Sequence, residues 1–164
     1  MRAEVHPEGL VKVRGEIFRA ALGKAGVRQH KMEGDESTPA GILPLRKVLF
    51  RADRQPRPVC AVPVEPLAPN EVWCDESGHR QYNRLVRAPF DGRHEVLWRD
   101  DALYDIVGVL GWNDQPVERG RGSAIFLHVA RPDLAPTEGC IALGIGDLRR
   151  LLSFGVTEFL VLGG

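Results

Sequence analysis

The sequence predicts a mostly β domain with one short helix near its C-terminus. Three observations predict it. Apolar residues fall in short alternating or β-branched runs bounded by Gly, Pro, Asn and Asp. One segment, "GDLRRLLSFG", has convincing helical spacing. No strand–helix–strand repeat, GxGxxG after a strand or P-loop occurs, which argues against a nucleotide-binding parallel sheet.

Taken in order, "EVHPEGLVKVRGEIFRAALG" reads as three strands, with turns at Pro7-Glu8-Gly9 and Arg14-Gly15. "GILPLRKVLFRAD" from Gly41 is extended, with Pro44 marking an edge or a bend. Residues 54–95 are rich in Pro, Asp, Asn and Arg and read as a loop-dominated excursion. "ALYDIVGVLGW" (102–112) and "SAIFLHVA" (123–130) have the length and β-branching of buried strands, joined by the polar "QPVERGRG". The helix has Asp147 as its expected N-cap, Leu148, Leu151 and Leu152 on one face, and Gly155 as its stop. "VTEFLVLGG" closes as a strand.

The 164 residues are enough for one ordinary domain, and 43% hydrophobic residues are enough for one core. Lys+Arg and Asp+Glu balance at 22 each, which argues against nucleic-acid binding driven by counterion release. No apolar run approaches the roughly 20 residues that span a bilayer. The N-terminus lacks the apolar centre of a secretory signal, so the sequence reads as a protein kept inside, exported by another route, or stripped of its leader. Cys60, Cys74 and Cys140 show no metal-ligand spacing; a Cys60–Cys74 disulfide stays open.

The stretch that carries chemistry is "HVARPDLAPTEGCIAL". A cysteine attacks as a thiolate and needs a base, and a histidine in reach supplies one. His128 and Cys140 lie at the two ends of a Pro-containing loop that can bring them together. Gly139 permits a sharp turn that aims backbone N–H groups at a developing oxyanion. The plainer alternative is a packed strand-end His and a small buried Cys. The enzymatic reading requires a sulfur ionised beside an imidazole on the floor of a groove.

This stretch resembles the active-site signature of the YkuD-type L,D-transpeptidases, a His followed after a loop by Ser/Thr-x-Gly-Cys-Ile/Val, here Thr137, Glu138, Gly139, Cys140 and Ile141. Upstream, "KMEGDESTPAGIL" is similar to the family's Lys-x-Gly-Asp-x-x-Thr-Pro-x-Gly, with Lys31, Gly34, Asp35, Thr38, Pro39 and Gly41 and one extra residue after the lysine. The resemblance implies a single catalytic domain over 1–164, sandwich- or barrel-like, with a cleft and no cofactor or metal. It implies acyl transfer from a peptidoglycan tetrapeptide donor to an amine acceptor, placing the protein at the cell wall. Cys140 would be nucleophile and His128 base and then acid, with the Val129 carbonyl orienting the ring. The N–H groups around Gly139 and Cys140 would hold the oxyanion, with Thr137 lining the turn.

Three positions depart from the family pattern: Glu138 stands for a common His, Ala142 for a common Arg, and Val129 for Gly. An arginine binds a terminal carboxylate bidentately, so Arg131, Arg119 and Arg121 are candidates to replace it. Glu138 is a further candidate substrate contact. The 73–84 segment, "WCDESGHRQYNR", reads as a loop at the cleft mouth, with Trp73 and Tyr82 as candidate sugar or peptide contacts. Alternatives are an L,D-carboxypeptidase or amidase using the same Cys–His pair, and a peptidoglycan-binding module without turnover.

Overall fold

A computed structural model describes residues 1–164. The chain opens with an antiparallel meander of β1 (Arg2–His6), β2 (Leu10–Val13) and β3 (Glu16–Arg19). Alternation does the sorting: Ala3, Val5, Val11, Val13 and Phe18 are buried while Glu4, Lys12 and Arg19 face water. A two-residue parallel ladder, β4 (Val27–Arg28) with β5 (Thr38–Pro39), closes the loop that carries Lys31 and Asp35. The long strand β6 (Gly41–Phe50) follows.

Residues 54–95 differ from the expected loop. They hold β7 (Val64–Pro66), which pairs with β6, then β8 (Glu71–Cys74) and β9 (Leu85–Arg87). With β10 (His94–Val96) these last two form a separate three-stranded sheet, β10-β8-β9. The strands are only three or four residues long, with turns full of polar residues, so composition masked them. The excursion is latched down by Asn83, whose Oδ1 accepts from Trp73 Nε1 at 2.9 Å and Ala124 N at 3.1 Å, and whose Nδ2 donates to the Trp112 and Asn113 carbonyls.

The remaining elements are β11 (Ile106–Leu110), β12 (Phe126–Val129), β13 (Ile141–Leu143), α1 (Ile145–Ser153) and β14 (Glu158–Val161). The main sheet runs β13-β12-β11-β6-β14-β1-β2-β3. Beyond β3 the chain returns to the other edge, where Ala21 and Ala142 exchange both backbone hydrogen bonds at 2.8 and 2.9 Å. That bridge nearly closes the sheet into a barrel and covers part of its β13 edge. Pro44 is not at an edge: β6 has neighbours on both sides. The β11 ladder has shifted at Val109/Leu110 there, and the Pro44 carbonyl accepts from Gly111 N.

The helix is capped by Gly144 rather than Asp147, which sits in the first turn where its charge favours the helix dipole. Leu148, Leu151 and Leu152 pack into the main core with Leu127, Val129, Ile141 and Leu143. A second, smaller core lies on the other side of β11 and β12, under the small sheet, and includes Val107, Val109, Phe126, Trp73, Tyr104 and Cys140. All three cysteines are free.

Candidate active site

β12 and β13 pair in parallel, with Leu127 opposite Ile141 and His128 opposite Ala142. Leu127, Val129, Ile141 and Leu143 all turn toward the core beneath the helix. Because successive side chains alternate, His128, Ala142 and Cys140, one residue before β13, take the opposite face. A register slip of one residue would put the His and the Cys on different faces. Both instead line one cleft of about 690 Å³.

The turn before the sulfur demands glycine. Gly139 has φ +140°, and a Cβ there would stand 2.7 Å from the Ser37 carbonyl oxygen. Thr137 closes the turn: its hydroxyl donates to the Cys140 carbonyl at 2.7 Å and accepts from Gly139 N at 3.1 Å. No acceptor in the chain meets the Cys140 N–H. The sulfur accepts from Phe126 N and donates to the Ala124 carbonyl, both at 3.3 Å.

His128 Nδ1 lies 2.9 Å from the Val129 carbonyl. A carbonyl only accepts, so Nδ1 carries the proton and Nε2 keeps its lone pair. Tyr104 stands edge-on to the imidazole, ring centres 5.2 Å apart. Burial pushes the imidazole down to about 4, although the Val129 and Leu103 carbonyls favour its protonated form. Burial also pushes the Cys140 thiol up to about 12, with the Glu95 charge adding, against the Phe126 N–H and Lys31. At neutral pH the pair is therefore a thiol and a neutral imidazole. The expected thiolate differs because desolvation outweighs one N–H and one ammonium that is already partnered.

That ammonium is Lys31. It is buried on the cleft wall, and its Nζ donates to Asp35 Oδ1 at 2.8 Å. Asp35 also accepts from Met32 N, Ser37 N and the Ser37 hydroxyl. Burial works against the Asp35 charge, yet these donors hold its carboxyl well below the usual range.

Among the other residues singled out in the sequence, Arg131, Thr137 and Glu138 line the cleft; Arg131 is exposed and makes no ion pair. Arg119 and Arg121 are not on its walls, and Arg121 pairs with Glu118. Trp73 is not a cleft-mouth contact. It is buried in the second core, its ring edge-on to Phe126 at 5.0 Å, because β8 is a strand with both faces covered. Tyr82 is likewise buried, its hydroxyl donating to Glu33 Oε1 at 2.7 Å. Sequence reasoning missed Glu95, Arg99 and Tyr104, all on the cleft wall. Nothing in their spacing ties them to His128: the docking of the small sheet brings in Glu95, and the β11–β12 pairing, extended by Val129 N donating to the Leu103 carbonyl, brings in Tyr104.

The sequence profile of YkuD, the L,D-transpeptidase catalytic domain, matches residues 9–158. The chain belongs to the YkuD family. An L,D-transpeptidase from Mycobacterium smegmatis is similar at 13% identity and a TM-score of 0.46, over 99% of this chain and 58% of that one. The chain thus spans less than two thirds of that protein. No curated protein sequence matches. Within this YkuD domain the departures have simple geometry. Val129 contributes its carbonyl to the imidazole, which any residue can do, and keeps its side chain in the core. Ala142 lies across from His128, and Glu138 is exposed at the cleft rim.

Proposed function

We propose that this YkuD domain, as one catalytic unit, is a cysteine L,D-transpeptidase acting on peptidoglycan stem peptides. The observation that carries the reading is the shared face of His128 and Cys140 inside one cleft, with His128 Nε2 left free by the Nδ1–Val129 bond.

The donor is a tetrapeptide whose diamino-acid residue precedes a terminal D-alanine. Its scissile carbonyl lies over the sulfur. The S–H turns from the Ala124 carbonyl to Nε2, which takes the proton as the C–S bond forms. The carbonyl oxygen becomes an oxyanion received by the Cys140 N–H, the donor of this turn with no internal partner; Gly139 N is occupied by Thr137. The protonated imidazole then gives its proton to the departing D-alanine nitrogen, leaving a thioester on Cys140. An amine, or water in the hydrolytic variant, completes the cycle. Arg131, exposed and unpaired at the rim, suits the terminal carboxylate. Glu138 shares that rim.

Incubation with a disaccharide-tetrapeptide tests the reading. Crosslinked dimers are expected from transfer, and tripeptide alone would reassign the domain as a hydrolase. Carbapenem should add its mass to the protein but not to Cys140→Ser. Absence of an adduct at every pH would leave a binding module.

A further inference from the structure

The ionic inventory of the cleft is uneven. Lys31 is held by Asp35 and Arg99 by both oxygens of Asp101, so Arg131 is the cation left over. Among the acids, Glu33 already receives the Tyr82 and Ser123 hydroxyls, and Asp75 pairs with Arg93. Glu36 and Glu138 are exposed. Glu95 is different: it is drawn into the wall from β10, makes no ion pair, and has one oxygen engaged by the Tyr104 hydroxyl. Its other oxygen, Oε2, takes no hydrogen bond.

Tyr104 ties this carboxylate to the reacting groups. Its ring stands edge-on to His128 at 5.2 Å and to Phe126 at 5.7 Å, and Phe126 N is the donor to the Cys140 sulfur. Tyr104 is buried, so its hydroxyl pins Oε1 and fixes which way Oε2 points. Burial pushes the Glu95 carboxyl up, against the pull of the Tyr104 hydroxyl and the Arg99 charge, so an ammonium beside Oε2 favours its charged form.

We infer that Glu95, oriented by Tyr104, is the acceptor-binding residue: it receives the ammonium group of the incoming amine and sets the division between transfer and hydrolysis. The inference rests on the acyl-enzyme reading above. An ammonium cannot attack, so it must lose a proton beside the thioester. Glu95 carboxylate takes that proton and the neutral amine forms the C–N bond. As the C–S bond breaks, the nitrogen gives a second proton to His128, which returns it to the departing thiolate. The amide and the thiol are regenerated, and the proton on Glu95 leaves to water. Arg131 and Glu95 thus recognise opposite charges, a carboxylate on the donor and an ammonium on the acceptor.

The experiment uses the full chain, disaccharide-tetrapeptide as donor and acceptor, and hydroxylamine, which is neutral at neutral pH, as a competing acceptor. Glu95→Gln should lower the dimer-to-tripeptide ratio about tenfold, the scale of one lost charge-assisted contact. It should raise the tetrapeptide concentration needed for half-maximal dimer formation and leave capture by hydroxylamine close to that of the unmodified protein. Tyr104→Phe, which keeps the ring, should lower the same ratio by a smaller factor. An unchanged ratio in Glu95→Gln overturns the inference. So does loss of the carbapenem adduct in that variant, because the carboxylate would then serve acylation. Failure of the unmodified protein to form any adduct is a separate result, which removes the acyl-enzyme reading itself.

Discussion

At the scale of single residues, two groups that line one cleft are kept uncharged by burial. His128 surrenders its charge to burial, and Cys140 holds its proton on the Ala124 carbonyl. A neutral pair differs measurably from a preformed thiolate–imidazolium pair. Alkylation of Cys140 by iodoacetamide should be slow at pH 7 and rise about tenfold per pH unit up to pH 9, as expected of a thiol far below its titration point. A rate that is flat between pH 6 and 8 would show a thiolate already present. Gly139 illustrates how far local sequence reasoning reaches. The need for a special turn before the sulfur was legible in Thr-Glu-Gly-Cys, but the Ser37 carbonyl that excludes a Cβ comes from a segment about a hundred residues away. The occupied Gly139 N–H was equally illegible, because it depends on the rotamer of Thr137.

At the scale of elements, the strands that face a core on one side and water on the other were the easiest to read. β1, β2 and β3 alternate visibly and fall between the expected turns. The small sheet was hidden for the opposite reason. β8 is buried on both faces, β9 and β10 have three residues each, and none has a clean period of two. Its attachment depends on Asn83, which sits at φ +59° and whose side chain makes four hydrogen bonds. Asn83→Ala should cost about 3 kcal/mol, since it orphans Trp73 Nε1 and three backbone groups in a buried site. Urea denaturation followed by tryptophan fluorescence measures it; a change under about 0.5 kcal/mol would mean that the small sheet is held by packing alone.

At the scale of the whole molecule, the buried ionisable groups couple the fold to pH. His128 is held at about 4 in the folded chain, below its ordinary 6.5. Between those values the unfolded chain binds a proton that the fold refuses, so stability rises with pH there. The contribution is fully present above 6.5 and is lost as pH falls toward 4, amounting to roughly 3 kcal/mol. Asp35 acts in the same direction at lower pH. Its lowered titration adds stability above the usual carboxylate range, and that is lost on further acidification. The melting temperature should therefore drop steadily from pH 6.5 to 4.5, and drop less in His128→Gln. Equal slopes for the two proteins would contradict a buried neutral imidazole.

Much of this was determined by the sequence alone. Alternation, turn residues and the "GDLRRLLSFG" pattern specify a β-rich chain with one helix, and the His-to-Cys loop with its glycine marks the proposed site. These signals are local, written within one turn or one strand. Tertiary structure alone decided that His128 and Cys140 share a face, because that depends on the register of β12 against β13. It alone decided that Trp73 and Tyr82 are buried supports while Glu95 and Tyr104 enter the cleft wall. Those outcomes turn on which face of a short strand meets another sheet, and a side chain's neighbours across a sheet have no fixed separation along the chain.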